Sequence, residues 1–369
     1  MGTERDSRNS IANTKRPVSD DGAKQRVKRI GLIDVDGHNF PNIPLMKISA
    51  WHKSRGDIVE WYDPMIAATT YASKCNFYYD IVYMSKIFSF TPDYEYCVIS
   101  EVLHKGGSGY CIETVNGREI YHTERDLQLP PEIEHIYPDY HLYTKQVFVP
   151  DADDEDETKG HYETVDRFPD TAYGFMSRGC PRGCDFCHVE AKEGKRAYKV
   201  ADLSEFWNGQ KNIVLLDPNP IACREWRDIL QQLIDSGSWV DFSQGVDIRL
   251  MTEEKASMIK QIKTKNIHFA WDRYEDKDII IPKLKMFKEL TGYDFRKLTV
   301  YMLCNFNTTF EQDLERVYTL RELGYNPFVM LYDKENIPKG HDLRKLQRWV
   351  NNRIVFNKCR KFEDFDSRK

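Results

Sequence analysis

The sequence has 369 residues, of which 41% are hydrophobic and 13% aromatic, enough for two domains with hydrophobic cores. Its formal net charge of −5 gives no overall basic character, so a nucleic-acid partner is not indicated. No apolar run approaches the roughly 20 residues that span a bilayer, and the N-terminal segment lacks the apolar region of a secretory signal. We therefore expect a cytoplasmic protein with no membrane partner.

The N-terminal third alternates strand and helix signals after a polar tail. Residues 1–27 are polar and almost free of aromatics, which predicts a disordered tail. A helix is predicted over 42–56, because Pro44 suits a first turn and Gly56 a C-terminal end. Strands are predicted at 30–34, 58–62, 80–84 and 96–100. This alternation favours a Rossmann-like parallel α/β domain over residues 28–150.

The rest of the chain continues the alternation beyond an acidic run. Like charges in sequence are typical of a solvated linker, which we place at 151–162. Strands are predicted beyond it at 171–176, 212–216, 240–243, 267–271, 298–303 and 327–332. Thr308-x-x-Glu311 is a capping-box pattern that opens one of the intervening helices. Six consecutive β/α units predict a partial (β/α)6 barrel, related to the eight-fold TIM barrel, over 163–335, with a helical extension over 336–369.

Three of the nine cysteines form a compact motif, whereas the other six are scattered singly and read as ordinary thiols of a reducing compartment. Cys180, Cys184 and Cys187 follow the first strand of the β/α series, where functional residues of such folds lie. Thiolates are the standard ligands of iron–sulfur clusters, and three of them leave one iron of a cubane open. Zinc with His188 as a fourth ligand is the alternative, although adjacent residues rarely converge on one tetrahedral ion.

The cysteine motif at the head of a six-unit β/α domain closely resembles the radical S-adenosylmethionine superfamily, over about residues 165–335. The Rossmann-like domain ahead of it resembles the branch that contains cobalamin-binding radical enzymes and methylthiotransferases. The resemblance implies that Cys180, Cys184 and Cys187 hold a 4Fe–4S cluster whose open iron is chelated by S-adenosylmethionine. An electron from a flavodoxin- or ferredoxin-like donor would then cleave that cofactor reductively to a 5′-deoxyadenosyl radical.

Four further residues match cofactor-binding positions of the superfamily. Phe186 matches the aromatic position that lies near the adenine. Asp217 stands where the family often has a Gly-Gly-Glu-like turn for the methionyl amine, but the glycines are absent here. Arg249 has the fork geometry to pair with the cofactor carboxylate, and Asp272 stands where relatives often have Gly-x-Glu. Asp217, Arg249 and Asp272 read equally well as strand-end polar residues that cap helices or form ion pairs.

Cobalamin is a possible second cofactor. Asp36-Gly-His38 follows the first strand, as in cobalamin domains with Asp-x-His-x-x-Gly, but Pro41 replaces the glycine, and a simple loop histidine is the more typical reading. Gly106-Gly-Ser-Gly109 lacks the spacing of a dinucleotide fingerprint and reads as a turn. The methylthiotransferases use three further N-terminal cysteines, and the flanks of those present here do not match: Cys75, Cys97 and Cys111.

The sequence thus predicts a radical S-adenosylmethionine enzyme, and it names no substrate. One alternative within that chemistry is a cobalamin-dependent radical methyltransferase. Another, of a different class, is a non-catalytic iron–sulfur or zinc module that acts in regulation or nucleic-acid binding. The latter needs the modest basic stretch over 344–361 to bind nucleic acid, and a charged helix face is the simpler account of that stretch.

Overall fold

The computed structural model describes residues 26–115, 118–150 and 160–366. The strands within these residues are β1 (Arg29–Asp34), β2 (Ile58–Trp61), β3 (Ile81–Ser85), β4 (Val102–Gly106), β5 (Ile112–Val115), β6 (Arg118–Tyr121), β7 (Thr144–Pro150), β8 (Gly160–Asp166), β9 (Thr171–Gly174), β10 (Ser177–Arg178), β11 (Tyr198–Lys199), β12 (Asn212–Leu215), β13 (Trp239–Phe242), β14 (Lys263–Ala270), β15 (Leu298–Cys304) and β16 (Asn326–Leu331). The helices are α1 (Ile43–Ser54), α2 (Pro64–Lys74), α3 (Ser108–Cys111), α4 (Pro131–Glu134), α5 (Val189–Glu193), α6 (Trp226–Ser236), α7 (Glu253–Gln261), α8 (Lys277–Thr291), α9 (Phe310–Glu322), α10 (Asp342–Asn351) and α11 (Arg353–Lys358). The predicted tail lies outside the described residues, apart from its last two positions.

The first sheet has four parallel strands in the order β2-β1-β3-β4. Helix α1 begins where predicted, because the Asn42 side chain accepts a hydrogen bond from the Leu45 backbone N–H at 3.3 Å. It buries Leu45, Met46 and Ile48 against the sheet and the rest of the main core. The carboxyl ends of β1, β3 and β4 therefore open at one edge, next to the start of α1.

The predicted fourth strand of this sheet is wrong in position. Residues 96–100 form a loop in which the Ile99 backbone N–H donates to the Tyr62 hydroxyl at 2.8 Å. The strand that pairs with β3 is β4, whose Val102 and Leu103 are exposed. An edge strand needs only backbone partners on one side, so its residues lack the buried pattern that marked 96–100 as a strand.

The second sheet has six parallel strands in the order β9-β12-β13-β14-β15-β16, which is chain order. Alternate residues such as Ile213, Val240 and Phe242 are buried, whereas Asp241 and Tyr301 on the opposite face are partly exposed. The chain is therefore a mixed α/β fold with parallel sheets, as the sequence predicts. All carboxyl ends of these strands lie at one edge.

The two sheets share a continuous core. One cluster of buried residues extends from α1 through Tyr140 and Tyr143 to Phe206 and the strands of the six-stranded sheet. The Tyr140 hydroxyl donates to the Phe206 carbonyl at 2.8 Å, which fixes this junction. No helix among the described residues is long and apolar enough to cross a membrane.

Two antiparallel hairpins, β5-β6 and β7-β8, are absent from the sequence prediction. Most of the predicted linker, residues 151–159, lies outside the described residues, and residues 160–162 already belong to β8. The capping box of α9 is shifted by one residue from the prediction, since Thr309 and Gln312 exchange the two capping hydrogen bonds.

Candidate metal and cofactor site

The cysteine loop leaves the carboxyl end of β9 and is fixed at both ends by backbone contacts. Strand β10, just before Cys180, pairs with β11. Gly179 has a φ of +80°, and a Cβ there would lie 2.0 Å from the Arg196 carbonyl oxygen, so only glycine fits. Glu193 of α5 accepts from the Gly179 backbone N–H at 2.9 Å and from the Arg178 guanidinium at 2.9 Å. The loop thus returns to the protein through α5.

Asp217, at the end of β12, supports the start of this loop. Its side chain is buried, and its two oxygens accept from the Met176 backbone N–H at 2.9 Å and from the backbone N–H and hydroxyl of Ser177. Burial raises the pKa of Asp217 to about 6, against the lowering effect of these hydrogen bonds. The carboxylate therefore ties the β9 exit to the β12 exit.

The three thiols of the loop influence one another. Burial, and next the neighbouring Cys187, raise the pKa of the Cys184 thiol to about 11, and Cys180 also raises it. The Asn219 side-chain amide donates to Cys180 Sγ at 3.8 Å, a type of contact that tunes cluster thiolates. Within 26–115, 118–150 and 160–366, no group of three or more His, Cys, Asp or Glu side chains is arranged around a metal position. The donor type nevertheless fits an iron–sulfur cluster, because cysteine thiolates are its standard ligands and cationic iron would offset the mutual repulsion that disfavours these thiolates here.

A network of ion pairs surrounds the loop on the side of β13. Asp247 accepts from both Arg182, of the cysteine loop, and Arg249, the latter at 2.8 Å. Burial opposes ionisation of Asp247, but the hydrogen bonds from these two arginines lower its pKa below the usual value. Arg249 also donates through Nη1 to Asp276 at 2.6 Å, and its Nη2 has no partner in the described part of the chain. Arg249 lowers the pKa of Cys184, so its charge reaches that thiol.

Asp272, at the end of β14, differs from Asp217 in having an unused oxygen. Its Oδ1 accepts from the Leu303 backbone N–H at 3.0 Å, whereas Oδ2 has no hydrogen-bond partner among the described residues. Burial raises the pKa of Asp272. Its charge in turn raises the pKa of the Cys184 thiol. Arg249 is linked to the cysteine loop through Asp247, which also binds Arg182, and Arg249 and Asp272 each keep one polar atom without a hydrogen-bond partner among the described residues.

Aromatic contacts bring the last two strand ends to the loop. The Phe186 ring packs edge-on against Phe306, with centroids 5.1 Å apart, and Phe306 packs on Tyr332 at 4.9 Å. Asn305 and Asn307, on either side of Phe306, have φ values of 66° and 54°, which is uncommon for residues other than glycine. The turn after β15 is therefore held in a strained form that directs Phe306 toward the cysteine loop.

The two histidines considered from the sequence have other contacts. His188 Nδ1 lies 3.1 Å from Glu119 of β6, and its ring stacks on Tyr121. His38 lies against the Trp61 ring, 4.1 Å between centroids, and burial lowers its pKa. Asp36 accepts from backbone groups and from Thr91, at 2.6 Å. These contacts are those of a loop histidine, the simpler of the two readings of His38.

Three residues of the site were not predicted from the sequence: Asn219, Glu193 and Phe306. Asn219 could have been suspected, since it lies two residues after Asp217 at the same strand end, between two prolines. Phe306 lies between two asparagines directly after β15, which is a signal for a strained turn. Glu193 gives no local signal, because its contact with Gly179 depends on how α5 returns to the loop.

Comparison with known proteins neither assigns the chain to a family nor establishes its fold. No protein-family model matches the sequence, and no curated protein matches it. Among solved structures, the crystal structure of Streptococcus suis SuiB bound to S-adenosylmethionine is 16% identical, with a TM-score of 0.34, and the match covers 51% of this chain and 44% of that one. The chain thus spans less than half the length of that protein, and a TM-score this low does not establish a common fold.

Proposed function

We propose that the chain is a radical S-adenosylmethionine enzyme in which Cys180, Cys184 and Cys187 hold a 4Fe–4S cluster. In this proposal the six-stranded sheet is a partial (β/α)6 barrel and the four-stranded sheet a Rossmann-like domain. The observation that carries it is the position of the three-cysteine loop at the carboxyl end of β9, where the exits of β12 to β16 supply its neighbours. When bound, the cluster supplies the electron that cleaves S-adenosylmethionine reductively.

The residues around the loop have distinct tasks in this proposal. Arg249 would receive the cofactor carboxylate on its free Nη2, while Asp247 and Asp276 hold the guanidinium in place. Asp272 would accept the methionyl amine on Oδ2. Asp217, whose oxygens are used by the chain itself, would position the cysteine loop and leave the ligand to Asp272.

The aromatic pair Phe186 and Phe306 would form the wall for the adenine and exclude water from the cluster. The electron would come from a flavodoxin- or ferredoxin-like partner in the cytoplasm, whose reducing conditions keep the thiols free for iron. The substrate is left open in this proposal.

The decisive test is anaerobic reconstitution of Cys184→Ala beside the wild type. We expect about four iron atoms and four sulfides per chain in the wild type, and fewer than about one of each in the variant. Cys97→Ser is the matched control, since Cys97 is exposed and its side chain makes no hydrogen bond in the described structure. It should retain the full iron content.

Two results would overturn the proposal. One is a colourless wild-type protein that takes up zinc and no iron, which is the result expected of a structural metal module. The other is full cluster content in Cys184→Ala, since a three-thiolate site cannot hold a cubane after loss of one ligand.

A further inference from the structure

A cavity of about 1000 Å³ lies between the carboxyl edge of the four-stranded sheet and the segments that flank the cysteine loop. Its first wall consists of α1 and the ends of β3 and β4, and its second contains Arg178, Lys192 and Glu193. This volume is in the range of small-molecule sites, and the edge of a parallel sheet is where such sites form. The cavity is separate from the groups assigned above to S-adenosylmethionine.

The carboxylates that line the cavity are already satisfied. Their contacts are Tyr121 Oη to Asp126 at 2.6 Å, Lys47 Nζ to Glu134 at 2.8 Å, and Arg178 Nη1 to Glu193 at 2.9 Å. Lys105 is paired as well, with its Nζ 3.3 Å from Asp93, and His135 Nδ1 lies 2.8 Å from Glu205. Among the described lining residues, every carboxylate and every lysine or arginine side chain therefore has a partner within the protein, with one exception.

The exception is Lys192, on α5. Its side chain is partly buried, and burial, followed by the nearby Arg178, lowers the pKa of its ammonium group, against the raising effect of Glu193 and Asp126. No residue in 26–115, 118–150 or 160–366 forms a hydrogen bond or an ion pair with Lys192 Nζ, although the residue lines the cavity. A partly buried cation without a direct partner is stabilised when an anion joins it. Apolar side chains complete the walls: Leu45, Ile48, Leu127, Leu129 and Val200.

We propose that this cavity binds a small organic anion, with its carboxylate or phosphate on Lys192 Nζ and its apolar part against the leucines and valine. This ligand lies against the same helix whose Glu193 holds the Gly179 backbone N–H, so it contacts the support of the cysteine loop. The proposal does not depend on the cluster, and it can be tested on the full chain as purified.

The test uses 8-anilinonaphthalene-1-sulfonate, an anion with an apolar body, as a fluorescent probe. We expect Lys192→Gln to weaken the probe's binding about tenfold and Lys192→Arg, which keeps the charge, to weaken it less than about threefold. Lys195→Gln is the matched control, since Lys195 follows α5, is 77% exposed and pairs with Glu190 outside the cavity. It should bind the probe as the wild type does.

Competition then identifies the anion. Hexyl phosphate displacing the probe at lower concentration than hexanoate assigns a phosphate ligand, and the reverse order assigns a carboxylate. Hexylamine, of similar size but cationic, should not displace it. Equal probe binding by wild type and Lys192→Gln, or displacement by hexylamine as readily as by the two anions, would overturn the proposal.

The melting temperature of Lys192→Gln is a second measurement, which distinguishes a loss of probe binding from a folding defect. Because Lys192→Gln removes a partly buried charge that forms no ion pair with the described residues, we expect its melting temperature without ligand to equal or exceed that of the wild type. A lower melting temperature would show that Lys192 is paired inside the protein and would also overturn the proposal.

Discussion

The carboxyl edges of the two parallel sheets hold buried carboxylates in opposite electrostatic settings. At the six-stranded sheet, Asp247 lies between Arg182 and Arg249, whose hydrogen bonds lower its pKa despite burial. At the four-stranded sheet, burial raises the pKa of Asp34 to about 6, with the neutral Tyr143 hydroxyl as its hydrogen-bond donor at 2.6 Å. The arginine pair thus keeps Asp247 ionised at the first edge, where burial raises the pKa of Asp217 and Asp272, whereas Asp34 at the second edge has no arginine or lysine partner among the described residues.

The largest effect is expected from removing the cation beneath the first edge. Arg316 is fully buried, pairs with Asp313, and donates to the carbonyls of Trp271 and Leu303, the latter at 3.0 Å. Arg316→Ala leaves the Asp313 charge buried without its partner, so we expect the free energy of unfolding to fall by about 3–5 kcal/mol. Urea denaturation of the purified chain measures it.

The matched control for this variant is Arg296→Ala, which removes an exposed pair with Asp294. Exposed pairs contribute little, so its loss should stay below about 1 kcal/mol. A loss for Arg316→Ala no larger than for Arg296→Ala would mean that ion pairing does not organise this edge.

The carboxylate of Asp34, at the second edge, should make the free energy of unfolding depend on pH. The pKa of Asp34 in the folded chain, about 6, exceeds the ordinary aspartate value of 3.8, so the folded state holds this proton more tightly. The corresponding stability is present in full below about pH 4 and is lost as the pH rises through about 6, a change of about 3 kcal/mol. Asp34→Asn, which mimics the protonated form, should lack that loss.

Urea denaturation at pH 4.5 and pH 7 measures this difference for the wild type and Asp34→Asn. The gap between the two proteins should change in favour of the variant at the higher pH. Parallel behaviour at both pH values would show that Asp34 ionises normally and would remove the contrast between the two edges.

A smaller effect is expected at the free nitrogen of Arg249. Arg249→Lys keeps the charge but loses the fork that contacts Asp247, Asp276 and a ligand together, so S-adenosylmethionine should bind about tenfold more weakly, or about 1.4 kcal/mol. Equilibrium dialysis with reconstituted protein measures this. Arg227→Lys, at an exposed pair with Glu254 on another surface, is the control and should leave the affinity unchanged. Equal affinities of all three proteins for S-adenosylmethionine would show that Arg249 does not contact this ligand.

The α/β class and most strand positions followed from the sequence, because buried parallel strands carry apolar residues that are visible locally. The start of α1 could also be predicted, since Asn42 and Pro44 stabilise the first turn of the helix in which they themselves lie. Strand β4 was not, because an exposed edge strand is defined by its partner β3 and not by its own composition. The β5-β6 hairpin, which contacts His188, depends on pairing in the same way.

The residue types of the candidate site could be predicted from the sequence, but the hydrogen bonds that each residue makes could not. Asp217 and Asp272 look alike in the sequence, as acidic residues just after β12 and β14, two strands of the same β/α series. Only the folded chain shows that the oxygens of Asp217 bind Met176 and Ser177, whereas Asp272 keeps Oδ2 free. Such differences depend on contacts over 30 residues or more, as between Asp272 and Leu303.

The most direct test of the account is the fate of S-adenosylmethionine on the reconstituted protein under dithionite. Chromatography of the products should show 5′-deoxyadenosine from the wild type only when both S-adenosylmethionine and reductant are present, and none from Cys184→Ala. Absence of 5′-deoxyadenosine from wild-type protein with full iron content, or equal amounts from Cys184→Ala, would contradict the assignment of Cys180, Cys184 and Cys187 as the ligands of a radical-forming cluster.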